Sequence, residues 1–324
     1  MTHAFAVHLA DFASTGSCPH AWLLADRLRR PDRVAVLGRA GVGRRTVEAA
    51  LRRAGVAVSG GDAEVAVVVI AEDAKAEDLA LVRSADRPAL FALTKADLAG
   101  SGAGGPLAVA RRRAAAIQSR SAVPTVPVVG LLGALGPDSL DDDLVAALRA
   151  FAVHPPDMTG VDSFVDDPHR VGRDVRTRLL AVLDRFGIAH AILALDRGVD
   201  PSGLSDHLRR LGNVDEVSSA LDAASARVGY GRVLDAVAEL RSLTDTSVDA
   251  WLASDDTVLA VMAAAVDVVE ADGLRVDRGD TAADHLERAR LWRRYGRGPV
   301  STLHHRCSVD IVRGSLRLLD GSAR

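Results

Sequence analysis

The spacing of apolar positions changes near residue 153, and the change predicts two kinds of architecture. In the first half, short apolar runs alternate with amphipathic stretches. The runs at 34–37 (V-A-V-L), 65–70 (V-A-V-V-V-I), 89–94 (A-L-F-A-L-T) and 125–130 (T-V-P-V-V-G) are continuous and bounded by turn residues. That is the pattern of strands buried on both faces of a parallel sheet. A further segment, V-A-V-S at 56–59, predicts an edge strand. Helical spacing fills 46–54, 76–84, 106–118 and 140–152, and strands alternating with helices imply an α/β sheet with helices on both faces. Ahead of the first strand, Trp22, Leu23, Leu24 and Leu28 fall at helical spacing, and Pro31 stops that helix.

From 153 to 169 the sequence H-P-P-D-M-T-G-V-D-S-F-V-D-D-P-H-R is rich in turn chemistry and predicts a linker or hinge. Beyond it the period is helical, with Val175, Leu179, Val182, Leu183 and Phe186 on one face. Further helices are predicted near 203–211, 214–224, 230–243, 257–271, 281–295 and 301–319. The expected organisation is a helical lead-in (1–30), an α/β domain (31–152), the linker (153–169) and an all-α bundle (170–324).

Composition narrows this little. The 324 residues are 48% hydrophobic and 26% charged with a net charge of −3, enough for two packed domains and without a global field that would favour nucleic acid. The two cysteines, Cys18 and Cys307, have no metal-type spacing and point to a reducing compartment. Without a basic, apolar leader or an apolar run long enough to span a bilayer, the expectation is a cytoplasmic protein. The cationic residues are almost all arginine, the only lysines being Lys75 and Lys95.

Two short motifs carry chemistry. Residues 34–46 read V-A-V-L-G-R-A-G-V-G-R-R-T, a strand entering a glycine turn that opens a helix. Phosphate-binding loops of the form G-x-x-x-x-G-K-[ST] use glycine amides to cradle phosphates, a lysine to reach the outer ones and a hydroxyl to ligate Mg²⁺. Gly38, Gly41 and Gly43 supply the cradle, whereas Arg44 stands at the lysine position and Arg45 at the hydroxyl position. Thr46 comes one residue late, about 100° round the helix. The second motif, T-K-A-D (Thr94, Lys95, Asp97), closes a buried strand where open α/β sheets bind ligands. R-R-R at 111–113 reads as a solvated helix face. On a helix, His304 and Cys307 are spaced to share a ligand, but a metal site there is not the expectation.

Glycine loop, T-K-A-D and the turn at Val129-Gly130, in that order, make residues 31–152 resemble the G domain of Era-like and dynamin-like GTPases, in particular the dynamin-like proteins of actinobacteria. The resemblance implies that Asp97 accepts from a guanine N1–H and amino group, that the Lys95 stem lies along the base, and that the lead-in helix joins the C-terminal helices in a bundle. Such proteins also carry a switch threonine and a D-x-x-G that sense the γ-phosphate. Only some ten residues separate the first helix from the strand at 65, and they hold neither. At the third base-contacting turn Val129-Gly130 replaces serine-alanine, which leaves backbone groups for the guanine O6.

The expected function is therefore a degenerate, dynamin-like GTPase relative that acts in binding or regulation with a protein partner, a GTPase relative or a second copy. It would hold GTP or GDP weakly, without Mg²⁺, and hydrolyse little or none. Peripheral membrane contact is left open. The alternatives are an active GTPase using Arg44 or Arg45 on the phosphates, and an ATP-type loop protein in which T-K-A-D is coincidence.

Overall fold

A computed structural model describes residues 3–15, 18–243 and 245–322 of the chain. Met1, Thr2, Gly16 and Ser17 of the expected lead-in, with Thr244, Ala323 and Arg324 of the expected bundle, lie outside them. The elements in chain order are α1 (His3–Ser14), α2 (Pro19–Arg29), β1 (Val34–Leu37), α3 (Arg44–Arg53), β2 (Val65–Ala71), α4 (Ala76–Ser84), β3 (Ala89–Thr94), α5 (Gly105–Ser121), β4 (Thr125–Pro127), α6 (Gly130–Gly133), α7 (Asp142–Val153), α8 (Val161–Asp166), α9 (Arg173–Asp196), α10 (Leu204–Leu211), α11 (Val214–Arg241), α12 (Thr246–Ala253), α13 (Asp255–Ala271), α14 (Ala282–Gly296) and α15 (Thr302–Ser322).

The chain divides into two compact units, one made of residues 32–221 and the other of residues 1–31 with 222–324. These boundaries differ from the expected one at 152. The segment 153–169 is not a free hinge: it contains α8, whose Phe164 is fully buried and meets Phe151 of α7 edge to face at 5.6 Å. Turn residues at 154–160 concealed a short helix with an aromatic anchor.

In the unit 32–221 the four strands form one parallel sheet in the order β1-β2-β3-β4. The register pairs Val68 with Phe91 and Ile70 with Leu93. These four cluster with Leu79 and Val82 of α4 and Ala114 and Ile117 of α5 on one face. Residues of the opposite parity, Val65, Val67, Val69, Leu90 and Ala92, are just as buried, so both faces are covered. Val58 makes a single parallel bridge to Val34 in place of the expected edge strand. The last strand is shorter than expected, because the chain turns into α6 after Pro127.

Helix α3 forms because Val47, Ala50 and Leu51 share one face, and these three are its buried residues. It ends where Gly55 takes φ +83° and the Val56 amide donates back to the Leu51 carbonyl. A second core joins Leu132, Leu144, Leu148 and Phe151 to Leu179, Leu183 and Ile188 of α9 and Leu204 and Leu208 of α10. Helix α9 has the expected apolar face, yet its backbone is interrupted at Asp184, with φ 55° and ψ 174°.

The other unit is all-helical. Its core gathers Phe5 and Leu9 of α1, Leu24 and Leu28 of α2, and residues of α11 to α15 including Trp251, Val268, Trp292 and Ile311. Trp251 stacks on Phe12 at 5.1 Å and on His8 at 5.0 Å. Sequence patterning gives no separate helix at α1 or α12 and predicts two helices, 214–224 and 230–243, where the structure has the single helix α11. In α2 the inward face is Ala21, Leu24, Ala25 and Leu28, while Trp22 and Leu23 are exposed.

Candidate functional site

The glycine loop follows β1 and is held by β2 and β3. Gly38 has φ +149°, and a Cβ there would come within 2.7 Å of the Val69 carbonyl oxygen, so the loop leaves the sheet by close contact with β2. Gly41 and Gly43 also have positive φ, +82° and +89°. The Thr94 hydroxyl lies 2.6 Å from the Val42 carbonyl and 3.0 Å from that of Ile70. With one proton to donate, it ties the loop to the ends of β2 and β3. Thr94 is buried, and its side chain thus serves the scaffold.

A third tether, from α4, has no local sequence signal. The Arg39 guanidinium donates to both carboxylate oxygens of Asp78, at 2.9 and 3.1 Å. Asp78 is fully buried and also accepts from the Lys75 amide at 3.0 Å, which caps α4. The two partners are 39 residues apart, so no local spacing signals the pair. An arginine inside a glycine loop and an acid in the first turn of a helix were the only hints.

At the C-terminal end of β3, Lys95 adopts a left-handed backbone, φ 55° and ψ 38°, and the chain then makes a single 3₁₀ turn over Ala96–Leu98. This turn brings Asp97 over the start of α3. A cavity of about 250 Å³ opens there, lined by Gly43, Thr46, Thr94, Lys95, Asp97, Leu98, Val129, Gly130, Leu131, Leu183 and Asp184. Six of the ten residues expected at the site thus meet in one place. Gly130 fits close against α3, its missing Cβ leaving room for the Thr46 methyl group 3.1 Å away. The Val129 amide is already used, donating to the Gly212 carbonyl at 3.1 Å. Of the two residues at that turn, only Gly130 keeps an amide for a ligand by its place at the start of α6.

The other four expected residues lie elsewhere. Gly38 and Gly41 shape the loop outside the cavity. The Arg44 and Arg45 side chains are exposed and do not line it, and Arg44 instead reaches Glu48 at 3.8 Å along α3.

Burial holds the Asp97 carboxyl above the usual carboxylate range, with the nearby Asp184 charge adding to the effect and Lys95 opposing it. Asp184 and Leu183 enter the site from α9, more than eighty residues further along the chain than Asp97. The Asp184 Oδ1 accepts from the neighbouring Arg185 amide at 2.6 Å, where the helix restarts. Nothing in the apolar period of α9 marked this residue.

The other sequence candidates have different partners. Arg112 and Arg113 donate to the carbonyls of Ala103 and Ala99. His304 lies between the Tyr295 hydroxyl and the Asp272 carboxylate, each at 2.7 Å. Burial pushes the Cys307 thiol up to about 12. Among the described residues no group of three or more His, Cys, Asp or Glu is placed to hold a metal ion, and no helix is long and apolar enough to cross a membrane. No protein-family model, curated protein or solved structure matches the chain.

Proposed function

We propose that this protein is a degenerate relative of the dynamin-like GTPases whose α/β unit keeps a guanine-base pocket but hydrolyses little or no GTP. It acts by binding or regulation, together with a protein partner that is a GTPase relative or a second copy. The observation that carries the reading is the cavity that gathers the start of α3, the T-K-A-D turn and Gly130. In this reading the ionised Asp97 accepts from the base N1–H and amino group, the Lys95 stem covers one face and the Gly130 amide reaches O6.

Loss of hydrolysis is supported by what joins α3 to β2. Residues 54–64 make a helix end, one bridge to β1 and a turn, too few to hold a switch that senses a γ-phosphate. The loop arginines support the same conclusion, Arg39 being committed to Asp78 and Arg44 directed along its own helix.

Calorimetric titration with GTP, GDP and ATP, with and without Mg²⁺, tests the reading. The expected result is guanine-selective, Mg²⁺-independent binding that Asp97→Asn abolishes, with no turnover. Mg²⁺-dependent micromolar GTP affinity with turnover would mean an active GTPase of unusual mechanism. ATP binding unaffected by Asp97→Asn would mean that T-K-A-D is a coincidence.

A further inference from the structure

The charge lining the cavity is the reverse of what a polyphosphate needs. Two carboxylates, Asp97 and Asp184, face it against one ammonium, Lys95, and the rest of the wall is glycine, threonine and aliphatic side chains. The cations that a phosphate would use are placed elsewhere: Arg39 is bound to Asp78, and Arg44 and Arg45 lie exposed outside the wall. The volume, about 250 Å³, falls just below the range of roughly 300–1,000 Å³ that encloses drug-sized ligands. It suits a base with its sugar at the mouth.

Asp184 is the residue that sets this balance. Motif residues supply Asp97 and Lys95, which alone would leave the wall neutral. Asp184 arrives from α9 through a backbone conformation that residues with a side chain rarely adopt, and its Cβ and carboxylate are thereby placed at the cavity. One carboxylate oxygen accepts from the Arg185 amide. The charge of the group still faces any ligand in so small a space, where it attracts N–H and O–H donors and repels phosphate oxygens.

We propose that Asp184 makes this cavity a reader of an uncharged guanine-type base or nucleoside, to which 5′-phosphates add no affinity. The inference rests on the guanine reading of Asp97 and narrows it from nucleotide to nucleoside. The loop amides at Gly41 and Gly43 then act as scaffold, held by Thr94 and Arg39, and not as a phosphate cradle.

The test is calorimetric titration of the full chain with guanosine, GMP, GDP, GTP and adenosine, at low and high ionic strength. Guanosine is expected to bind as tightly as GTP or tighter, and adenosine not at all. Raising the salt should strengthen GTP binding by screening the carboxylates, whereas an arginine clamp on the phosphates would be weakened. Asp184→Asn, which keeps an acceptor oxygen, should raise the affinity for GTP relative to guanosine by about tenfold. If that variant fails to fold, the salt dependence of the unaltered protein decides alone. GTP binding at least tenfold tighter than guanosine and weakened by salt would overturn this inference and leave the guanine pocket standing. Absence of binding by every guanine compound would overturn both. A GTP-to-guanosine ratio unchanged in Asp184→Asn would remove Asp184 from the explanation.

Discussion

At the scale of single residues, the glycine loop owes its form to contacts that can be removed one at a time. Gly38→Ala would drive a methyl group into the Val69 carbonyl at 2.7 Å from a conformation with φ +149°. The expected loss is about 1–3 kcal/mol in a denaturant melt. Gly41→Ala, with open space around it, should lose about 1 kcal/mol from its φ alone. Asp78→Ala removes a buried acid that serves both Arg39 and the α4 cap, and should lower the melting temperature well beyond the exposed control Asp73→Ala. At the cavity, Asp97 predicts a pH dependence. Its carboxyl is held above the usual range by desolvation, and the base recognition proposed above needs the ionised form. Guanosine binding should therefore disappear on acidification while ordinary exposed carboxylates are still charged, and return as pH rises through the elevated value. The stability term has the opposite sense: a raised acid pKa favours the fold at low pH, and that contribution is lost as pH rises past it. Titrations at a series of pH values, with Asp97→Asn as reference, separate the two.

Secondary-structure elements show what the sequence could and could not reveal. The strands were legible because β-branched runs such as V-A-V-V-V-I suit positions buried on both faces of a sheet, and the register confirms both faces as interior. The cavity was partly legible because a loop and a strand-end motif are local features. Its α9 wall was not, since Leu179, Leu183 and Phe186 keep a helical period through Asp184 and periodicity does not record a backbone φ. Comparison of Asp184→Gly with Asp184→Ala measures that hidden strain. Both lose the bond to the Arg185 amide, but only alanine keeps a Cβ at φ 55°, so the glycine variant should be the more stable by about 1 kcal/mol. Helix α11 errs in the other direction. Residues 225–229 fell between two predicted helices, yet core positions Tyr230, Val233 and Val237 belong to one helix that runs through. Gly231→Ala meets open space and should stabilise the protein by roughly 0.5–1 kcal/mol in the same melts.

For the molecule as a whole, the division into units turns on the chain's two ends. Phe5, Leu9, Leu24 and Leu28 share a core with Val268 and Ile311, although more than two hundred residues lie between them. Removing residues 1–31 should strip that core of its aromatic and leucine contacts to Trp251 and α13. The truncated chain is expected to lose much of its far-ultraviolet helical signal and to bind a hydrophobic dye, while the guanosine binding proposed for residues 32–221 should be kept. The same arrangement orders events during synthesis. Helices α1 and α2 leave the ribosome ahead of the α/β unit, and their core partners follow only after its about 190 residues. At roughly 5–20 residues per second their apolar faces wait for about 10–40 s. The α/β unit, continuous in sequence, can close during that wait. Misassembly is therefore expected first in residues 1–31, whose apolar faces are separated by the whole α/β unit from the helices that finally bury them.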